Sequence, residues 1–464
     1  MTAHFISKEW KLISVVLATF VMKDRATGEA IKNALFSIFS EWGVSKISRT
    51  LVSDQGLNIK KAAEIGKLHH LFCFAHKLDL CLTSYGVNLV EDYSHLITKC
   101  KDIIKFFRYK SSEVAEKQAE LNELFENIIE DDHSYFEVVE NAPSTSLKKF
   151  CPTRWNTLFT MIESLLINRA VVYDLLRKHG KNDLIFTARQ ISALKKLLEF
   201  LKTFKQATKK LQGERYPTLS LAWPYVCLLK RNCRTPDCVD HDSDYGDDAI
   251  SDFDLEDGVD ESSASYGLAL GKLKNYVYDA LETRFPKDDT MLLASNLDPR
   301  FLTMRDRYNS VEEYLNGIKI FLVAIKDDFT SYGQPIESNA TPKLSAFEQL
   351  FSEILDEEAS ANQQTPSLNQ EILAYIRLPR LQSNAHDGFN LLKWWNDHQS
   401  SFPILSRIAR KVHSIVATSA EAERVFSSCG NIVNQKRSRL LPSNVDKFVF
   451  IHANLYEEPE ESIN

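Results

Sequence analysis

Short apolar runs alternate with one long amphipathic stretch through the first part of the chain. AHFI and WKLISVVLATFVM flank the polar turn SKE and predict a β-hairpin. In TGEAIKNALFSIFSEWG, residues Ala30, Ile31, Ala34, Leu35, Ile38 and Phe39 recur at the spacing of one helix face, and Gly43 supplies the stop. ISRTLVSD reads as a buried strand ending at Asp54, LNIKKAAEIG as a short helix, and HLFCFAHKLDLCL as a strand running into a helix. From about Thr83 helical periodicity takes over, as in LITKCKDIIKFFRYK and ISALKKLLEFLKTFKQATKKLQ, and few strand signals return. Near the end, LPSNVDKFVFIHANL predicts a helix opened by a Ser443-x-x-Asp446 capping box, with Val445, Phe448, Val449 and His452 on one face. The class expected is α+β, mostly α. A sheet-containing piece occupies 1–82, a long helical segment 83–369 and a compact helical region 370–464. That order suits a sheet domain interrupted by a helical insertion whose last helices return late. No internal repeat is apparent.

At 464 residues the chain has room for two or three domains, and 44% hydrophobic residues suffice for sizeable cores. The net charge of -7 is unevenly carried. Pro236 to Ser263 holds twelve Asp and Glu and no Lys or Arg, so the remainder sums to +5. The 236–263 stretch lacks the apolar surface to fold and is expected to be a disordered loop, and QPIESNATPKLS a linker. Mild basicity elsewhere permits nucleic-acid contact without demonstrating it. Eight cysteines with no CxxC pair read as free thiols of a reducing compartment. Cys227, Cys233, Cys238 and His241 fit no common zinc spacing. KLISVVLATFVM is too short to span a bilayer, and the start of the chain shows no signal-peptide pattern. No membrane partner is expected, and the compartment is nuclear or cytosolic.

Several residues could carry chemistry. Asp54 ends a strand, where α/β folds place metal and ligand sites, but Asp-x-Gly also suits a turn, and spacing favours the turn. Cys73 and His76 form a C-x-x-H pair with no second half in view, so a buried thiol and a hydrogen-bonded imidazole are the plainer reading. Arg154 beside Trp155 could hold phosphate and stack on an unpaired base, against the commoner case of a tryptophan in a helix contact. In TSAEAERVFSSCG, Thr418-x-x-Glu421 reads as a capping box, and Ala422, Val425, Phe426 and Cys429 as a narrow apolar stripe. Glu423 is left without a structural role. QKRSR offers Lys436, Arg437 and Arg439 for phosphate contact or a nuclear signal, or as a solvated helix end.

Together and in this order, MTAHFISKEWKLISVVLAT, LVSDQGLNIKKA, CFAHKLDL, CPTRWNT, LDPRF (Leu297 to Phe301), WW…FPILSRIARKV and ATSAEAERVFSSCGNIVNQKRSRL resemble the hAT superfamily of transposases. They are closer still to its domesticated relatives among the zinc finger BED domain-containing proteins. The resemblance extends over nearly the whole chain, and its C-terminal stretch is similar to the family's dimerisation region. It implies an RNase H-like core interrupted by a large all-α insertion, with three carboxylates holding two divalent metals for strand cleavage. By resemblance, Asp54 matches the second carboxylate and Glu423 the third. Cys73 and His76 match the C-x-x-H element beside the core, and Arg154-Trp155 the pair near the flipped base. The family's first carboxylate lies on a strand upstream of TAHF, and no carboxylate before Asp54 matches it. The BED finger has no counterpart either, and SDQGLN replaces the usual TDNAxN.

The expectation is a truncated RNase H-like core and a decayed or domesticated transposase. It would be a non-enzyme that dimerises through 370–464, contacts DNA in the nucleus and needs no cofactor. Mg or Mn at Asp54 and Glu423 would matter only if the protein were active. Two alternatives stand beside it: an active metal-dependent transposase whose start lies upstream, and an interaction scaffold with no DNA role.

Overall fold

In the computed structural model the described residues are 1–19, 22, 25–44, 49–129, 146–151, 155–234, 261–304, 307–325, 367–379, 381, 388–432 and 442–455. The expected acidic loop lies almost wholly outside them, as does the QPIESNATPKLS linker. The last three positions given to that loop begin the helix Glu261–Arg284 instead.

The predicted hairpin forms. Strands β1 (Thr2–Ile6) and β2 (Leu12–Val16) pair antiparallel, with Thr2 opposite Val16 and Ile6 opposite Leu12. Helix α1 (Gly28–Glu41) follows, capped by Thr27, whose side chain accepts from Ala30 N, and it buries Leu35, Ile38 and Phe39. Gly43, at φ 65°, takes the left-handed turn that ends it. Strand β3 (Thr50–Ser53) then leads into helix α2 (Leu57–Gly66), and β4 (His69–Phe72) returns parallel to β3. A Cβ at Gly28 would lie 2.7 Å from Lys61 Cγ, so the close approach of α1 to α2 requires glycine there. Among the described residues these strands make two separate two-stranded sheets, β1-β2 and β3-β4.

The chain divides into two compact units. One unit comprises Met1–Ala75, Lys210–Tyr225 and Lys287–Asn464, and contains all four described strands. Its C-terminal helices gather on a tightly bonded centre. The side chain of Asp298, fully buried, accepts from Arg300 N at 3.1 Å and pairs with the Arg300 guanidinium at 2.9 and 2.6 Å. The Leu297 carbonyl beside it accepts from Trp395 Nε1 at 3.0 Å and from His413 Nε2 at 3.1 Å. Tyr375 stacks on Trp395 at 5.6 Å and meets Phe402 edge-on. LDPRF and the WW…FPILSRIARKV stretch are thus explained by packing.

The other unit comprises His76–Lys209 and Val226–Pro286 and is helical throughout its described elements. Helices Glu91–Phe106, Asn156–Ile167 and Ala188–Leu211 supply much of its apolar interior, including Ile103, Met161, Ile162, Leu194 and Phe204. Six described cysteines are thiols. Burial pushes the Cys100 thiol up to about 12, which leaves it an inert small hydrophobe.

Two capping expectations are corrected. The last helix spans Pro442–Asn454, so Ser443 stands inside its first turn. Asp446 instead accepts from Thr19 N at 2.6 Å. Of the face predicted there, Val449 is buried while Phe448 and His452 are exposed. At Thr418, the hydroxyl accepts from Ala420 N at 3.4 Å, but Glu421 does not complete a box. Its carboxylate reaches the hairpin.

Candidate functional site

Asp54, Cys73 and Glu423 belong to one neighbourhood in the strand-containing unit. Asp54 follows β3 directly, and its Oδ1 accepts from Gly56 N at 3.1 Å, the aspartate turn that spacing favoured. Cys73 follows β4 in the same way. Its N–H donates to Ser53 O at 2.6 Å, continuing the β3-β4 ladder by one residue. Its buried Sγ accepts from Ser419 N at 3.3 Å, and Phe74 N donates to Ala417 O at 2.9 Å. These bonds pin the 417–419 loop, and with it the start of helix Ala420–Ile432, to the C-terminal end of the parallel pair. Glu423, in the first turn of that helix, is half-buried. Cys73 therefore acts structurally, joining the Asp54 strand end to the Glu423 helix. His76 opens the helical unit.

A second polar group went unseen in the sequence. His4 Nδ1 lies 2.8 Å from Ser14 Oγ across the hairpin and 3.4 Å from Glu421 Oε2. Burial pushes the His4 imidazole down to about 4 and raises the Glu421 carboxyl above its ordinary range. At neutral pH His4 is uncharged, so its contact with Glu421 is part of a hydrogen-bonded cluster with no ion pair. Only the histidine in the apolar run AHFI hinted at it. The partners stand ten and 417 positions away, beyond any local pattern. The cluster faces an apolar cavity of about 850 Å³ lined along one side by β1 and along another by Thr50, Leu51 and Val52 of β3. His70 is a further unforeseen neighbour of Asp54: its Nε2 meets Ser53 Oγ at 2.9 Å, and burial lowers its pKa while the Asp54 charge raises it.

The remaining predicted residues sit elsewhere. Trp155 is 2% exposed, its ring edge-on to Phe204 at 6.5 Å and its backbone N–H donating to Asp79 Oδ1 at 2.6 Å. In this conformation it fills the helical interior and offers no stacking face. Arg154, Lys436, Arg437 and Arg439 lie outside the described residues. The apolar stripe on Ala420–Ile432 is open: Phe426 is 68% exposed, with Ala422 and Val425 half-buried.

Among the described residues no three His, Cys, Asp or Glu side chains converge as a metal-holding group, and one Asp54 oxygen is committed to its own turn. Among the described residues, no helix is long and apolar enough to cross a membrane.

Residues 371–455 match the hAT family C-terminal dimerisation region, and residues 1–80 match the ZBED1 RNase-like domain. The chain is 23% identical to the transposable element Hobo transposase of Drosophila melanogaster, over 92% of its own length and 62% of that protein. To the putative AC transposase of Zea mays it is 21% identical, over 95% of its length and 52% of that protein. To the human zinc finger BED domain-containing protein 4 it is 20% identical, over 98% of its length and 36% of that protein. The chain thus spans less than two thirds of each of these relatives. It carries an hAT-type C-terminal dimerisation region and a ZBED1-type RNase-like domain, and is related along nearly its whole length to the hAT transposases and zinc finger BED domain-containing proteins.

Proposed function

We propose that residues 1–464 form a transposase-derived protein that pairs with a second copy of itself through its C-terminal region, contacts DNA in the nucleus and does not cut it. In this reading the strand-containing unit is an RNase H-like core, and the helical unit is the insertion that interrupts it. The observation that carries pairing is an apolar surface on helices Ala420–Ile432 and Pro442–Asn454, inside the matched dimerisation region. Phe426, Phe448, Ile451 and Leu455 are each more than half exposed. Such a cluster at a region of this kind is what a self-association surface needs. DNA contact rests on the basic balance outside the acidic stretch and on the kinship with proteins named transposases. Absence of cleavage is read from the Asp54 carboxylate, one oxygen of which is committed to its own turn through Gly56 N.

Size exclusion with light scattering on the full chain, at micromolar concentration, tests the pairing. A dimer is expected, and a monomer for the Phe426→Asp, Phe448→Asp double variant. A monomeric unsubstituted protein would refute the reading. For cleavage, duplex DNA is expected to stay intact in Mg or Mn, and nicking that disappears in Glu423→Gln would show that the chain is an enzyme after all.

A further inference from the structure

Helix Ala188–Leu211 belongs to the helical unit as far as Lys209. Its buried side chains, among them Leu194, Leu197, Leu201 and Phe204, face the interior of that unit. Neighbours fix this side: Asn232 Nδ2 donates to Phe200 O at 3.2 Å, and Phe204 meets Trp155 edge-on. The opposite side is basic. From Ala188 to Lys209 the helix carries six Lys and Arg against one acidic residue, Glu199. Lys195, Lys202 and Lys209 are all exposed and recur every seventh position. Seven residues advance a helix by about 10 Å and return it to within about 20° of the starting direction, so the three stems form a nearly straight row about 21 Å long.

Two contrasts set this row apart from an ordinary solvated face. Lys205, at its margin, is already used: its Nζ reaches Glu163 at 3.3 Å and lies 3.9 Å from the centre of the Phe159 ring. Among the described residues no ion pair forms to Lys195, Lys202 or Lys209, although Glu199 stands four residues after the first and three before the second, the spacing at which helix pairs form. A face that served solubility alone would mix the signs. No large apolar side chain of this helix is exposed either, so the face lacks the anchor that a protein partner needs.

We propose that the row Lys195, Lys202 and Lys209 is a seat for the phosphate backbone of duplex DNA, held without reading its bases. The inference rests on the DNA contact proposed above and gives that contact a place in the helical unit. A duplex presents one negative charge per about 1.7 Å of its axis, so a row of this length lies against many phosphates and its flexible stems need no exact register. Ammonium groups bind phosphate as point charges and carry no fork for a base edge, so the row fixes position and leaves sequence unread.

Fluorescence anisotropy of the full chain on a labelled duplex, across a salt series, tests the seat. The Lys195→Gln, Lys202→Gln, Lys209→Gln variant is expected to bind roughly tenfold more weakly or worse at about 0.1 M salt, and to lose about two to three units from the slope of log affinity against log salt. Arginine at the same three positions should restore both, which keeps a folding defect apart from a lost contact. Glutamine at Lys181, Lys272 and Lys319, exposed lysines elsewhere, removes the same charge and should leave the slope nearly unchanged. An unsubstituted chain that binds no duplex overturns the DNA contact itself, and this seat with it. Duplex binding that the first variant retains with the same slope leaves DNA contact standing and overturns the seat alone. Equal weakening by the control does the same, since net charge then accounts for the loss. Binding of a labelled polyglutamate that the first variant loses, with duplex binding unchanged, gives the face to an acidic protein and overturns the seat as well.

Discussion

His413 shows how one buried side chain sets a pH response. It is fully buried, and its Nε2–H donates to the Leu297 carbonyl. Burial pushes its imidazole from 6.5 down to about 4, although Asp298 and the carbonyl pull the other way. The folded protein therefore keeps His413 neutral, while the unfolded chain takes up a proton as pH falls through about 6.5. The stability this contributes is complete above that value and is lost progressively as pH falls toward 4, by roughly 3 kcal/mol for a shift of this size. His413 ring carbon-proton shifts in NMR should stay flat from about pH 7.5 to 5 while the melting temperature declines. Trp155→Ala belongs to the same scale. It should cost about 3–5 kcal/mol through the cavity left against Phe204, read by chemical denaturation. Local spacing gave Asp54 its turn correctly. It misassigned Glu421, because the capping pattern is local and the competing partners His4 and Ser14 arrive from the other end of the chain.

At the scale of elements, helix Pro403–His413 begins without a cap of its own, at Phe402 and Pro403. Glu371, 1% exposed in the first turn of helix Leu368–Ile376, supplies one from a distance. Its carboxylate accepts from Ile404 N at 3.0 Å and Leu405 N at 2.7 Å. Burial raises its pKa against the pull of those bonds. Glu371→Ala should destabilise the protein by about 2–3 kcal/mol, and Glu371→Gln by less, since the amide oxygen can still accept. Paired urea titrations would separate the two. The hairpin, α1, α2 and the strand-to-helix run at Cys73 were all legible, because periodicity and punctuation agree there; β3 was legible as a strand, but its residues are half-buried where its apolar run predicts burial. The apolar stripe at Phe426 was legible as a stripe, but periodicity does not say whether a face meets the same chain or another one. Where Pro442 starts the last helix, proline at the first helical position outranked the serine that follows it.

At the scale of the whole molecule, charge and connectivity decide behaviour. If DNA is a partner, deleting Pro236 to Asp260 removes eleven of the twelve acidic residues and should strengthen duplex binding. Replacing Lys436, Arg437 and Arg439 with alanine should weaken it and flatten its salt dependence. Fluorescence anisotropy across a salt series would read both. Sequence order also points to a sheet domain broken by helices. The structure holds two compact units, each assembled from separated segments, with three of the four boundaries inside helices, where no composition change marks them. The Leu297 carbonyl makes that interleaving concrete. It spends both lone pairs on Trp395 and His413, donors that lie within the stretch matched as a dimerisation region, while Leu297 itself lies well before it. Excised at its sequence boundary, residues 371–455 would carry two stranded donors and an aromatic centre stripped of its floor. The stretch is therefore no portable cassette: whatever it grips in a second copy, it can grip only while anchored to the body that precedes it.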